Sequence, residues 1–139
     1  MAKTRLGSRG SFSGNVIEKV TTATTFTASD SGKVFALDAA GGAYTITLPA
    51  VAPGINYKFV VQENTPTGDI TIKAAAAVIY GNLCLQADTD EDNRLACAGK
   101  TNILVDTTAL LGDSLELVSD GTYWYAIGLT QVVGGFTVS

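Results

Sequence analysis

The stretch Tyr44-Thr45-Ile46-Thr47-Leu48-Pro49 decides the fold class. Tyr44, Ile46 and Leu48 alternate with two threonines, a period of two that places the apolar set on one face of an extended chain. Threonine is β-branched and suits a pleated, half-exposed surface. Pro49 has no amide hydrogen to give to a ladder and stops the run.

The same texture spreads in both directions. Upstream, Thr21 to Ala28 is rich in threonine, Ser29-Asp30-Ser31-Gly32 forms a turn, and Lys33 to Leu37 reads as a strand. Downstream, a turn at Ala52-Pro53-Gly54 precedes Tyr57 to Val61, in which Tyr57, Phe59 and Val61 share a face. Thr65 to Asp69 turns the chain again, and Ile70 to Lys73 repeats the alternation. Ala74 to Ala77 reads equally as one helical turn or a strand bend. Val78-Ile79-Tyr80 closes at Gly81-Asn82, and Leu83, Leu85 and Ala87 alternate beyond it. A polar loop over 88–94 separates these from Ile103-Leu104-Val105, Leu115 to Val118 and Tyr123 to Ile127. Asp120-Gly121 marks a hairpin, because that pair accepts the positive φ of a tight turn. Val132 to Val138 adds an edge strand or reaches to a neighbour. No window keeps helical spacing over three turns. Short strands recurring at roughly 8 to 12 residues predict an all-β domain, either a single β-sandwich (jelly-roll-like) or a barrel.

The length, 139 residues, allows one domain and a short arm. Only 16% of residues are charged and 46% are hydrophobic, too apolar for a disordered chain and too poor in charge for a helical bundle. Residues 1–14 are of another kind: three glycines and several serines and threonines surround Leu6 and Phe12. Such a stretch buries too little to order itself and predicts an extended, flexible N-terminal arm, with the β domain over 15–139. Lys3, Arg5 and Arg9 put three positive charges on the arm of a chain whose net charge is −4. A basic arm on an acidic body suits docking to an acidic protein surface; a frayed, solvated terminus is the other reading. The acidic body predicts no nucleic-acid partner.

Histidine is absent, which removes imidazole acid–base chemistry, Ser–His and Cys–His nucleophile pairs and most zinc sites. The run Met1 to Arg5 leads into Gly and Ser with no apolar stretch behind it, so no signal peptide is expected. A reducing compartment then favours free thiols at Cys84 and Cys97. The neighbours Leu83 and Leu85 suggest a core position for Cys84. The longest apolar run, Ala74 to Tyr80, is too short for a bilayer, and no membrane partner is expected.

The chemical motifs fail one by one. Asp88, Asp90 and Asp92 begin like a calcium loop, but the sixth position is Asn93 and the twelfth Gly99, where the loop needs Gly and Glu. A solvated loop is the expectation, with no cofactor and no metal. The glycines from Gly7 to Gly14 lack the Gly-Lys-Ser/Thr of a phosphate loop. In Gly10-Ser11-Phe12-Ser13-Gly14 the place of a nucleophile is taken by Phe12. Acids fall mostly at turns, and no catalytic residues are assigned; the chain is read as not an enzyme. Tyr123, Trp124 and Tyr125 invite sugar stacking, but alternation sends Trp124 to the face opposite the tyrosines, and one face is core. Mean hydropathy of +0.25 is high for a small monomer and suggests burial between subunits.

The ordered series carries a resemblance. Residues 21–35 (TTATTFTASDSGKVF), then Tyr44 to Pro49, then Gly54 with Tyr57 to Val61 open it. Ile70-Thr71-Ile72, Ile79-Tyr80-Gly81 and Asp120 to Tyr125 complete it. Together they resemble a β-sandwich module of tailed-bacteriophage structural proteins, found in capsid decoration (cement) proteins and in tail-fibre and appendage chains. The likeness spans about residues 20–128 and maps no family binding residue onto this chain. It implies a homotrimer on the outer surface of the virion capsid, assembled in the host bacterial cytoplasm and bound to the major capsid protein. Single-domain length and the basic arm favour the head over the tail. Arg5, Leu6, Arg9 and Phe12 are the expected capsid-binding residues, the apolar pair as anchors and the arginines as partners for capsid acids. The alternative is a receptor- or carbohydrate-binding tip of a tail appendage.

Overall fold

In the computed structural model, residues 17–85 and 94–139 are described. Period-two burial organises the strands. In β4 (Tyr44–Thr47) Tyr44 and Ile46 are buried, followed by Leu48. In β10 (Ser114–Asp120) Leu115, Leu117 and Ser119 point inward, and in β11 (Trp124–Thr130) Trp124, Ala126, Gly128 and Thr130 do. The remaining strands are β1 (Ile17–Val20), β2 (Thr24–Thr25), β3 (Val34–Leu37), β5 (Pro53–Val61), β6 (Ile70–Lys73), β7 (Ile79–Leu85), β8 (Arg94–Lys100), β9 (Asn102–Val105) and β12 (Phe136–Val138).

Two sheets pack face to face as an all-β sandwich. One has the order β12-β9-β6-β4-β2, the other β1-β3-β5-β10-β11-β7-β8. From β1 to β7 the chain changes sheet at every step, so the strand two places on returns to the same sheet. The pairs β1–β3, β3–β5, β2–β4 and β4–β6 are accordingly parallel, each crossover running through the opposite sheet. In the second half every pair is antiparallel except β7–β11, and β10–β11 is a hairpin. Gly121 turns that hairpin at φ +98°, and the Asp120 carboxylate accepts the amides of Thr122 and Tyr123 (2.7 and 2.9 Å).

The interior is aromatic at one end. Phe26 hydrogen-bonds through its amide to the Thr47 carbonyl in the five-stranded sheet and packs on Phe35 and Tyr57 of the other (centroids 4.3 and 5.1 Å). Tyr57 continues to Trp124 at 5.7 Å. Two phenols tie segments together: Tyr44 Oη donates to the Val20 carbonyl and Tyr57 Oη to that of Thr27, both at 2.7 Å. Burial pushes both phenols up to about 12.

Several expectations need correction. Gly81-Asn82 does not close a strand, because β7 runs unbroken from Ile79 to Leu85. Gly81 instead lets β7 approach β11: a Cβ there would sit 2.1 Å from the Ala126 carbonyl oxygen, at φ +134°. Cys84 is exposed and Cys97 buried, the reverse of the expected core role for Cys84. With Leu83 inward, alternation turns residue 84 outward. Both thiols are free. Of the two readings of Ala74 to Ala77 the bend holds, whereas the turn after Thr27 includes a 3-10 turn over Ala28–Asp30 capped by Thr27 and Asp30, and only Thr24–Thr25 of the threonine-rich run pairs as a strand. β8 takes in Arg94, expected at the end of the polar loop, and its Ala96-Cys97-Ala98 centre carries little β-branched or aromatic signal in the sequence.

Candidate interaction surface

The two outer faces of the sandwich differ in kind. On the five-stranded sheet, Thr45, Thr71, Leu104 and Thr137 align across four strands, and Thr47, Lys73 and Asn102 form the next row. This face is mostly threonine, with Leu104 and Lys73 among the threonines, and most of it is half-buried.

The outer face of the seven-stranded sheet carries an apolar strip along β11 (Tyr125, Ile127 and Leu129), widened by Val118 of β10 and Tyr80 of β7, with Glu116 and Asp120 of β10 and Asn82 of β7 beside it. Register places Val118 beside Tyr125 and Tyr125 beside Tyr80, then Glu116 beside Ile127 and Ile127 beside Asn82, then Ser114 beside Leu129 and Leu129 beside Cys84. Ile127 is 66% exposed and Leu129 60%, with Val118, Tyr125, Tyr80 and Tyr123 each near two-fifths. Inward neighbours on the same strands, Trp124 and Leu117, are 1% and 0% exposed. On β11 the outward set, which a solvated face would make polar, is apolar instead. An open depression of about 180 Å³ lies on this face, lined by Lys58, Ser114, Glu116, Ile127 and Leu129.

One end of the face is a tyrosine cluster. Tyr80 and Tyr123 meet edge to face at 4.8 Å, and Tyr123 and Tyr125 at 6.4 Å. The Tyr125 hydroxyl donates to Asp120 Oδ2 at 2.9 Å. The Tyr123 and Thr122 amides, then this hydroxyl, hold the Asp120 carboxyl below its usual range, while the same bond raises the Tyr125 phenol. The division of the aromatic triplet matches the alternation: Trp124 belongs to the core, so a sugar would find only the tyrosines.

The other end is pinned by a buried carboxylate that no sequence motif marks. Asp113 is 1% exposed. Its Oδ2 accepts the Leu110 amide (2.9 Å) and the Thr130 hydroxyl (2.7 Å), and its Oδ1 accepts the amide and side-chain Nε2 of Gln131 (2.9 and 3.1 Å). These bonds hold the end of β11, and with it Leu129, against the loop before β10.

The expected capsid-binding residues Arg5, Leu6, Arg9 and Phe12 lie outside the described residues, as does the acidic run 88–92. Among the described residues, no group of three or more Cys, Asp or Glu side chains is placed to hold a metal ion, and no helix is long and apolar enough to cross a membrane. Neither protein-family models nor curated proteins give a match to this chain.

Proposed function

We propose that this chain is a non-enzymatic viral structural protein that decorates and stabilises a bacteriophage capsid, binding the major capsid protein shell as a homotrimer. The resemblance of residues 20–128 to phage decoration modules suggests the class. The observation that carries the reading is the exposed apolar strip along β11 with Val118, Tyr80 and Tyr123 beside it, a feature of chains that work by contact. Stabilisation follows from mass action: a protein that binds the mature shell and not its loosened form favours the former by its differential affinity. In this reading the arm docks, Leu6 and Phe12 entering apolar niches and Arg5 and Arg9 pairing with shell acids.

The test is co-sedimentation of the purified protein with shells assembled from the major capsid protein. The full chain should pellet with shells and raise their melting temperature. Deletion of residues 1–14 should abolish pelleting without changing the circular dichroism. A full chain that stays in the supernatant at tens of micromolar contradicts the proposal, on the ordinary affinity scale.

A second reading, a receptor- or carbohydrate-binding tip of a tail appendage, is favoured by the exposed Tyr80–Tyr123–Tyr125 cluster beside Asp120. A glycan array tests it: binding that Tyr123→Ala removes supports a tip, and a blank array speaks against it.

A further inference from the structure

We infer that the apolar outer face of β10, β11 and β7 is covered by other copies of this same chain, turned toward the symmetry axis of a homo-oligomer. This deepens the reading above by naming the contact between copies, and it stands apart from how the arm meets a shell.

Charge is the first argument for this occupant. Among the described residues, the exposed charges at outward positions of β5, β10, β11, β7 and β8 are Lys58 and Arg94, against Glu116 and Asp120. Lys58 sits opposite Glu116 across β5 and β10, and Arg94 lies opposite Cys84 at the far side. Among the described residues, these strands thus carry two charges of each sign on that face, in a chain of net charge −4. A surface meeting its own equivalent must carry both signs in balance, since an excess of either would repel itself. A strongly acidic or basic partner would instead select for one sign.

Area is the second. The six large apolar side chains present roughly 500 Å², within the upper part of the range for the largest apolar patch on a monomer. Ala96, Ala98, Cys84, Asn82 and Ser114 surround them with small side chains. Together they bring the face toward the ~800 Å² that each partner contributes to a standard interface. The depression beside Ile127 and Leu129 offers a socket for an apolar side chain of a neighbour. The threonine face of the other sheet has no such features, so the asymmetry lies between two faces of one molecule.

The experiment is native mass measurement of the full chain and of Ile127→Arg, with Thr71→Arg on the opposite face as control. Cys84 provides an independent readout, because it lies beside Leu129 while Cys97 is buried. The wild type and Thr71→Arg should be oligomers in which Cys84 reacts slowly with a thiol reagent. Ile127→Arg should be a folded monomer whose Cys84 reacts at least about tenfold faster, once the interface no longer shields it. If Ile127→Arg does not fold, the wild-type Cys84 rate decides: labelling as fast as a free peptide thiol overturns the inference. So does a wild-type monomer at about 100 µM, which leaves the face to another molecule. An Ile127→Arg variant that keeps the oligomeric mass overturns this face as the contact and leaves shell decoration standing. A dimer that the variant dissociates supports this face and removes the trimer from the proposed function.

Discussion

Replacing Asp113 by alanine tests whether a single buried carboxylate sets the end of the interaction surface. The native group accepts four hydrogen bonds from three residues on two segments. Alanine strands the Leu110 and Gln131 amides and leaves the Thr130 hydroxyl with only the longer contact to the Val132 carbonyl at 3.2 Å. A stranded buried donor costs about 1–3 kcal/mol. Leu110 is half-buried and Gln131 exposed, so water recovers part of this, and the sum comes to about 3 kcal/mol. Asparagine keeps one acceptor but turns an amide NH2 toward donors on the other side, for a loss of about 2 kcal/mol. Urea unfolding followed by Trp124 fluorescence, at one protomer concentration, reads the effect. With a urea slope of about 1.5 kcal/mol per molar, Asp113→Ala moves the midpoint down by about 2 M and Asp113→Asn by a little over 1 M. A shift below about 0.5 M for alanine would refute the idea that this carboxylate ties β11 to the preceding loop.

Other expectations concern the core and its titration. Trp124→Ala removes a buried ring packed on Tyr57 and should cost about 3–5 kcal/mol in urea unfolding followed by circular dichroism, while Tyr123→Ala on the exposed face should cost about 1 kcal/mol or less. Gly81→Ala combines a positive φ with a Cβ driven into the Ala126 carbonyl, and thermal melts should show a loss of about 3 kcal/mol or more. The buried phenols of Tyr44 and Tyr57 stay neutral up to about 12, whereas they ionise near pH 10 when unfolded. Stability from this source is therefore full below pH 10 and falls between pH 10 and 12, by about 2 kcal/mol for each residue. Tyr57→Phe should lose about 1 kcal/mol at pH 7 with its hydrogen bond to Thr27, yet show a shallower alkaline decline; an unchanged slope contradicts the assignment.

Much of the strand pattern was legible because burial follows a local period. Tyr44, Ile46 and Leu48 share a buried face as their spacing requires, and the Asp120-Gly121 hairpin falls where its dipeptide places it. Trp124 parts from Tyr123 and Tyr125 for the same reason. β8 is not legible in the sequence because Ala96-Cys97-Ala98 carries little local preference and pairs through its neighbour β7. The Asp113 tie was invisible, since its donors lie up to 18 residues away and an isolated aspartate has no signature. The expected sites at Arg5, Leu6, Arg9 and Phe12 lie outside the described residues.

The sequence by itself determined that the chain is all-β and which residues face inward along most strands, since side-chain alternation is a property of consecutive residues. The tertiary structure alone decided the strand order, the parallel pairs made by winding β1 to β7 between two sheets, and the meeting of Val118, Ile127, Leu129 and Tyr80 on one open face. Pairing across a sheet joins residues remote along the chain, and their mutual placement depends on which strands become neighbours.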